Sequence, residues 1–263
     1  MNTVKQNSNA WDKKVEEGST YTKEVSKEII EKSKIGEWNI TVTAGKPVPK
    51  SWFPSSLKGL KILCLASGGG QQGPVLAAAG AEVTVMDISK KQLEKDDFVS
   101  KENDLNLTTI QGDMCDLSVF NDDDFDLIVH PVANLFVEDI TPVWKEASRV
   151  LKDKGVLITG FTNPLLFIFD DEEDMKGNLV VKNSIPSSTL DHMSDEEIAE
   201  HLTANKTVEY GHSLESQIQG QIDAGFVIAG LYEDDFGGSR PLDKYIKCFV
   251  ATRAFKMNLD IKQ

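Results

Sequence analysis

The stretch KILCLASGGGQQGPVLAAAGAEVTVMD, residues 61–87, decides the fold. KILCLA (61–66) is a short, continuous apolar run, the pattern of a strand covered on both faces in a parallel sheet. The turn SGGGQQG (67–73) follows and matches G-x-G-x-x-G at Gly68, Gly70 and Gly73. Glycine there lets the backbone turn sharply and lets a ligand approach the bare peptide. A helix through VLAAAGA leads to EVTVMD (82–87), a second strand ending on Asp87. A carboxylate at that strand end is placed to accept hydrogen bonds from both hydroxyls of a ribose. Nicotinamide and flavin enzymes share this signal, so alone it names a nucleotide-type ligand and not a reaction.

Working outward, SKKQLEKDDFVSKEN reads as a helix capped by Ser89. LTTIQGD supplies a third strand and FDLIVHP (125–131) a fourth. Ile140 to Leu151 is an amphipathic helix, and the turn KDKG leads into the strand VLITGF. Strands spaced by helices of this length mean βαβ units and a parallel sheet, an α/β doubly wound fold. Two long strands close the chain, GFVIAGLYED and DKYIKCFVATRAF, after a helix from Ser213 to Ala224. Only about ten residues part them and no helix fits between, so they form an antiparallel pair at one edge. A second nucleotide-binding half is therefore absent.

Residues 1–59 read as an N-terminal helical cap, with two helices between Trp11 and Ile35, then a Gly- and Pro-punctuated stretch. Residues 60–263 form the main domain, with an irregular, polar insertion at 162–211 that contains one acidic helix, SDEEIAEHL. The cap and the insertion lie outside the sheet framework and are the expected substrate-side parts. FTNPLLFIF, at the start of the insertion, suits a substrate wall, a lid or a dimer contact. Monomer and homodimer both remain open.

The net charge of −14 argues against a broad nucleic-acid surface, which needs clustered Lys and Arg. The acidic run Asp170 to Asp174 reads as a solvated turn or helix start, with a divalent metal as the alternative; it lacks the ligand spacing and turn glycine of a calcium loop. Cys64, Cys115 and Cys248 are scattered, which suits reduced thiols rather than a disulfide framework or zinc site. No apolar run reaches the roughly 18 residues of a membrane span, and the polar start lacks a secretory pattern. The expected location is the cytoplasm.

Taken together, ILCLASGGG, VTVMDIS, QGDM, FDLIVHP and RVLKDKGVLI resemble the class I S-adenosylmethionine-dependent methyltransferases, over roughly 60 to 253. A looser similarity, through NAWDKK, TYTKEVSKEII and KPVPKSWFP, points to bacterial small-molecule-type members. The resemblance implies a seven-stranded Rossmann-like sheet with the last strand antiparallel. It implies that Ala66, Ser67, Gly68 and Gly70 hold the methionine end of S-adenosyl-L-methionine, with S-adenosyl-L-homocysteine as product. Asp87 then takes the ribose, Ile88 lies beside the adenine, Asp113 takes the adenine amino group and the Met114 backbone meets the ring edge. Many members have an acidic residue where Cys64 stands and glycine where Ala66 stands. Anchoring of the methionyl amino group here falls to Gln71 or Gln72, whose amides both donate and accept.

Methyl transfer is an in-line displacement on a sulfonium, so the protein mainly positions two partners and excludes water. His130, at the end of the fourth strand, is the candidate general base, against a reading in which it only caps the strand or lines the pocket. Asn134 and His212 are candidate acceptor-binding residues, with a structural hydrogen-bonding role as the alternative. Trp11 and Tyr21 either cover the cofactor or simply pack. HPVA stands where nucleotide-amino methyltransferases have Asn or Asp, two prolines and an aromatic, which favours a small-molecule acceptor. The competing functions are an NAD(P)-dependent oxidoreductase, argued against by the closing strand pair, and a non-catalytic S-adenosylmethionine-binding protein.

Overall fold

The computed structural model describes residues 2–257. The sheet strands are β1 (Lys61–Leu65), β2 (Glu82–Asp87), β3 (Leu107–Gln111), β4 (Phe125–His130), β5 (Leu151–Thr162), β8 (Phe226–Asp234) and β9 (Phe249–Lys256). They stand in the order β3-β2-β1-β4-β5-β9-β8. The pairs from β3 through β5 are parallel, and β9 runs antiparallel to both its neighbours, β5 and β8. β6 (Ser187–Ser188) and β7 (Tyr210–Gly211) form a separate two-stranded ribbon within and beside the insertion.

Alternation along the central strands builds two cores. Ile62, Cys64, Val83, Val85, Leu127 and Val129 face one side, packed on Val75 and Leu76 of α3 (Gln72–Ala78). Leu63, Leu65, Met86, Ile128 and Leu157 face the other, packed on Val143, Trp144, Ala147 and Val150 of α5 (Thr141–Val150). Those four α5 residues recur at helical spacing, and burying each large one contributes roughly 2 kcal/mol. α4 (Lys90–Asn103) begins at Ser89, whose hydroxyl accepts from the Gln92 amide. The KDKG turn lies inside β5 as a register break, with Lys154 at φ 59°.

Three expectations need correction. The first cap helix, α1 (Thr3–Glu16), begins well before Trp11, while α2 (Lys27–Lys34) falls where the second was expected. α1 buries Asn7 and Ser8 rather than an apolar stripe, so periodicity does not reveal its start. The last strand opens at Phe249, not Asp243, because Pro241–Lys244 makes a 3-10 turn. The helix after Ser213 is a π turn, Glu215–Gln219, continued by α9 (Gly220–Asp223). Within the insertion, α6 (Leu165–Ile168) and α7 (Asp171–Met175) precede α8 (Asp195–Thr203), which carries a Ser194/Glu197 capping box.

The rest of the cap is fastened to the sheet. Ile40, Val42, Val48, Trp52 and Phe53 join the same core cluster as Ile62. Asp234 accepts from Thr43 Oγ1 and from the Gly45 and Lys46 amides at 2.7, 2.9 and 2.8 Å, pinning residues 41–47 as a strap over the strand ends. The strap lies so close to β5 that a Cβ on Gly160 would sit 1.9 Å from the Val42 carbonyl oxygen, so no other residue fits there. No described helix is long and apolar enough to cross a membrane.

Candidate active site

The C-terminal ends of β1, β2, β4 and β5 open onto a cavity of about 530 Å³, roofed by α1, the strap and the insertion. That volume is in the range of cofactor and small-ligand pockets. One end is built from Ala66, Ser67, Gly68, Gln72, Asp87, Ile88, Gln92, Asp113 and Met114, beneath Trp11, Lys14 and Tyr21. The other is walled by Thr43, Val132, Thr162, Leu166, Phe236, Arg240 and Phe249.

At the first end the glycine turn is held from several directions. Ala66 takes φ 49°, a conformation normally left to glycine, and its amide donates to the Met86 carbonyl at 2.7 Å. The two oxygens of Asp87 accept from the Gly68 and Ser89 amides, each at 2.9 Å. Burial raises the Asp87 carboxyl to about 6 despite those amides, so it is ionised at neutrality but held at a cost. Ser67 Oγ donates to Gln72, whose amide in turn donates to the Thr41 carbonyl at 3.0 Å, tying turn to strap. Asp113 accepts from the Cys115 amide. α1 docks on the same corner, with Ser8 Oγ donating to the Ile88 carbonyl and Asp12 accepting from Ser89 Oγ.

Eight of the nine expected cofactor residues thus line one end of the cavity. The ninth, Gly70, sits one layer behind: its carbonyl accepts from Val25, and its φ of 72° serves the turn. Gln71 also lines the cavity: its amide nitrogen donates to the Tyr21 and Lys23 carbonyls at 3.3 and 3.0 Å, and the oxygen of the same amide is the atom suited to a ligand ammonium, whereas the Gln72 oxygen accepts from Ser67.

His130, Asn134 and His212 do not reach the cavity. The His130 ring is fully buried, with Nδ1 donating to the Leu65 carbonyl at 2.9 Å and Nε2 2.8 Å from the Asn134 side chain. Burial lowers its pKa, so the ring is neutral: the Leu65 carbonyl fixes the proton on Nδ1, and Nε2 is left as an acceptor facing the Asn134 amide group. Asn134 passes the chain on to Gln217. His212 Nε2 donates to the Asn134 and Val137 carbonyls at 3.0 and 2.9 Å. These three side chains therefore brace residues 134–137, whose Leu135, Phe136 and Val137 do line the cavity. His130, the expected base, does not line the cavity, because its ring turns back under the sheet end onto Leu65 and Asn134.

Of the opposite wall, sequence reasoning named the segment that supplies Thr162 and Leu166 and missed Phe236, Arg240 and Phe249. Arg240 reaches it from the loop before β9, paired with the buried Asp174 and with Asp171, and stacked over Phe236 at 5.4 Å. The acidic run Asp170–Asp174 is thus a helix start, capped by Asp170, that holds an arginine. Lys14 lies 4.4 Å over the Trp11 ring, and burial lowers its pKa. Among the described residues no cluster of three or more His, Cys, Asp or Glu is arranged to hold a metal, and Cys64, Cys115 and Cys248 are free thiols.

The first end fits an adenosyl cofactor by its chemistry. It offers an acceptor carboxylate at a strand end, apolar Ile88 and Met114, and bare backbone at Gly68. Residues 63–159 match the methyltransferase domain family. Over 254 residues, 97% of this chain and 98% of the other, the sequence is 55% identical to the uncharacterized methyltransferase YbaJ of Bacillus subtilis (strain 168). A shorter similarity, 32% over 111 residues, 42% of this chain and 45% of the other, is to the ubiquinone biosynthesis O-methyltransferase of Pelagibacter ubique (strain HTCC1062). The fold matches an S-adenosylmethionine dependent methyltransferase from Mesorhizobium loti, with a TM-score of 0.60 at 17% identity, over 78% of this chain and 94% of that one. Sheet order, glycine turn and near full-length kinship agree, and the chain belongs to the class I S-adenosylmethionine-dependent methyltransferases.

Proposed function

We propose that the enzyme methylates a small-molecule acceptor bound between the strap and the insertion, against Val132, Thr162, Leu166, Phe236, Arg240 and Phe249. The observation that carries this is the shape of the site: cofactor end and acceptor wall share one cavity of about 530 Å³ under α1. A roofed space of that size suits a small ligand better than a macromolecular surface. The net charge of −14 disfavours a nucleic acid. The Pelagibacter relative, an O-methyltransferase of ubiquinone biosynthesis, is consistent with such an acceptor. The cap 1–59 and the insertion 162–211 serve as the acceptor-side parts of this reading.

Bound S-adenosylmethionine supplies an electrophilic methyl group on a sulfonium. Ala66, Ser67 and Gly68 are assigned to its methionine end and Asp87 to the ribose hydroxyls. Ile88, Asp113 and Met114 are assigned to the adenine. Phe236, Phe249 and Leu166 exclude water and orient the acceptor. His130 holds its proton on Nδ1 against the Leu65 carbonyl and offers no base to the cavity. The acceptor atom is accordingly one that is nucleophilic without help from this ring.

The test is to incubate the enzyme with methyl-labelled S-adenosylmethionine and cell extract split by size. Label in the small-molecule fraction is expected. Label confined to protein or nucleic acid would overturn the small-molecule acceptor while leaving the methyltransferase itself standing.

A further inference from the structure

Behind the glycine turn lies a buried acid that the reading above does not use. Asp96, in the middle of α4, is fully buried, and its Oδ2 accepts from the Gly69 amide at 2.9 Å. The Gly70 amide also points to it. Its other oxygen, Oδ1, is buried without a partner, and one helical turn earlier the side-chain amide oxygen of Gln92, Oε1, lacks one too. Both belong to the α4 face that packs on the turn: a Cβ on Gly69 would lie 3.1 Å from Gln92 Oε1, and one on Gly73 would lie 3.3 Å from Asp96 Oδ1. Two unpartnered buried acceptors against one tight turn are costly unless a proton is shared there.

Cys64 beneath the turn is sealed, and burial pushes its thiol well above the usual range. Gln71 is engaged by the cap, and Gln72 by Ser67 and the strap. No carboxylate reaches the turn from β1. We propose that Asp96 is a positioning residue of the cofactor site, clamping Gly69 from α4 and so fixing the turn on which S-adenosylmethionine binds. The inference rests on the cofactor assignment made above.

The surroundings favour the neutral carboxyl. Desolvation raises Asp96 to about 8 against the Gly70 and Gly69 amides, which favour the charged form, and the carboxylates of Asp87 on β2 and Asp97 on α4 push upward with it. The Cys64 thiol faces it from β1, and the nearest ion pair, Glu24 with Lys95, lies on the outer side of the turn at Gly70. The unfolded chain ionises near 3.8, while the folded protein keeps the proton to about 8. Stability therefore falls as pH rises between those values and levels off above. Asp87 contributes a similar fall that ends at about 6, and the buried rings of His130 and His212 contribute a rise that ends near 6.5, which leaves the window above that, to about 8, to Asp96.

The experiment compares wild type, Asp96→Asn and Asp96→Ala by S-adenosylhomocysteine calorimetry and by chemical denaturation of ligand-free protein across pH 5 to 9. Asp96→Ala is expected to weaken binding about tenfold, the loss of one buried hydrogen bond. Asp96→Asn, which keeps both an acceptor and a donor, is expected to restore most of that affinity and to lose the decline in stability between about pH 6.5 and 8. Equal affinity in Asp96→Ala, or an unchanged decline in Asp96→Asn, would overturn the proposal. Should Asp96→Ala fail to fold, the pH profile of Asp96→Asn decides alone. Failure of wild type to bind would instead strike the cofactor assignment.

Discussion

The two ends of the cavity are built by different rules. The cofactor end comes from consecutive strand ends, β1, β2 and the turn after β3, whose side chains arrive in chain order at fixed spacing. The acceptor wall gathers Thr43, Val132, Thr162, Leu166, Phe236 and Phe249 from segments up to about two hundred residues apart, with no local pattern linking them. A repeating framework positions what the family shares, and the irregular parts are free to choose the partner.

Perturbing the fastening between the two should have the largest effect. Asn7 is fully buried, donates to the Phe136 and Val208 carbonyls at 2.9 and 3.0 Å, and accepts from the Val208 amide at 2.8 Å. Asn7→Ala is expected to cost about 3 kcal/mol in chemical denaturation, because three buried groups lose partners. Cofactor binding should weaken with it, since Trp11 and Lys14 sit on the same helix. Unchanged stability would mean that α1 is a loose flap rather than a fixed roof.

A smaller effect is expected from His130→Gln. The strut reading gives a loss of about 1–2 kcal/mol, with label transfer reduced only a few-fold. A general base would instead cost about 10²–10⁴ in turnover. The sign with pH is also set. The folded ring has a pKa below the ordinary 6.5, so the unfolded chain takes up the proton first as pH falls. His130 therefore contributes a loss of stability as pH falls below about 6.5, opposite in sign to Asp87 and Asp96, and the Gln variant should gain stability relative to wild type over that range. A thousandfold drop in transfer at full stability would restore His130 as the base.

What the sequence made legible follows the same division. β1, β2, β4 and α4 could be read nearly to the residue, because a parallel sheet demands continuous apolar runs and Ser89 caps its helix. Asp87 could be placed because its role follows from its position at a strand end. Position alone did not reveal where the His130 ring turns, since that depends on Asn134 and the Leu65 carbonyl. Asp96 hides among KKQLEKDD as one charge in a solvated-looking run. Its spacing from Leu93 and Val99, both buried, was the available signal that it faces inward. Arg240 and Phe236 had no such signal, because Asp174, which fixes the arginine, lies 66 residues away.

The central claim is that the Asp87 end of the cavity holds S-adenosylmethionine. Calorimetric titration of wild type and Asp87→Ala with S-adenosylmethionine, S-adenosylhomocysteine and NAD tests it most directly. The account predicts binding of the first two in the micromolar range, weakened at least about thirtyfold in the variant by loss of charge-assisted hydrogen bonds worth about 2 kcal/mol. Binding that survives Asp87→Ala unchanged, or a preference for NAD, would contradict it.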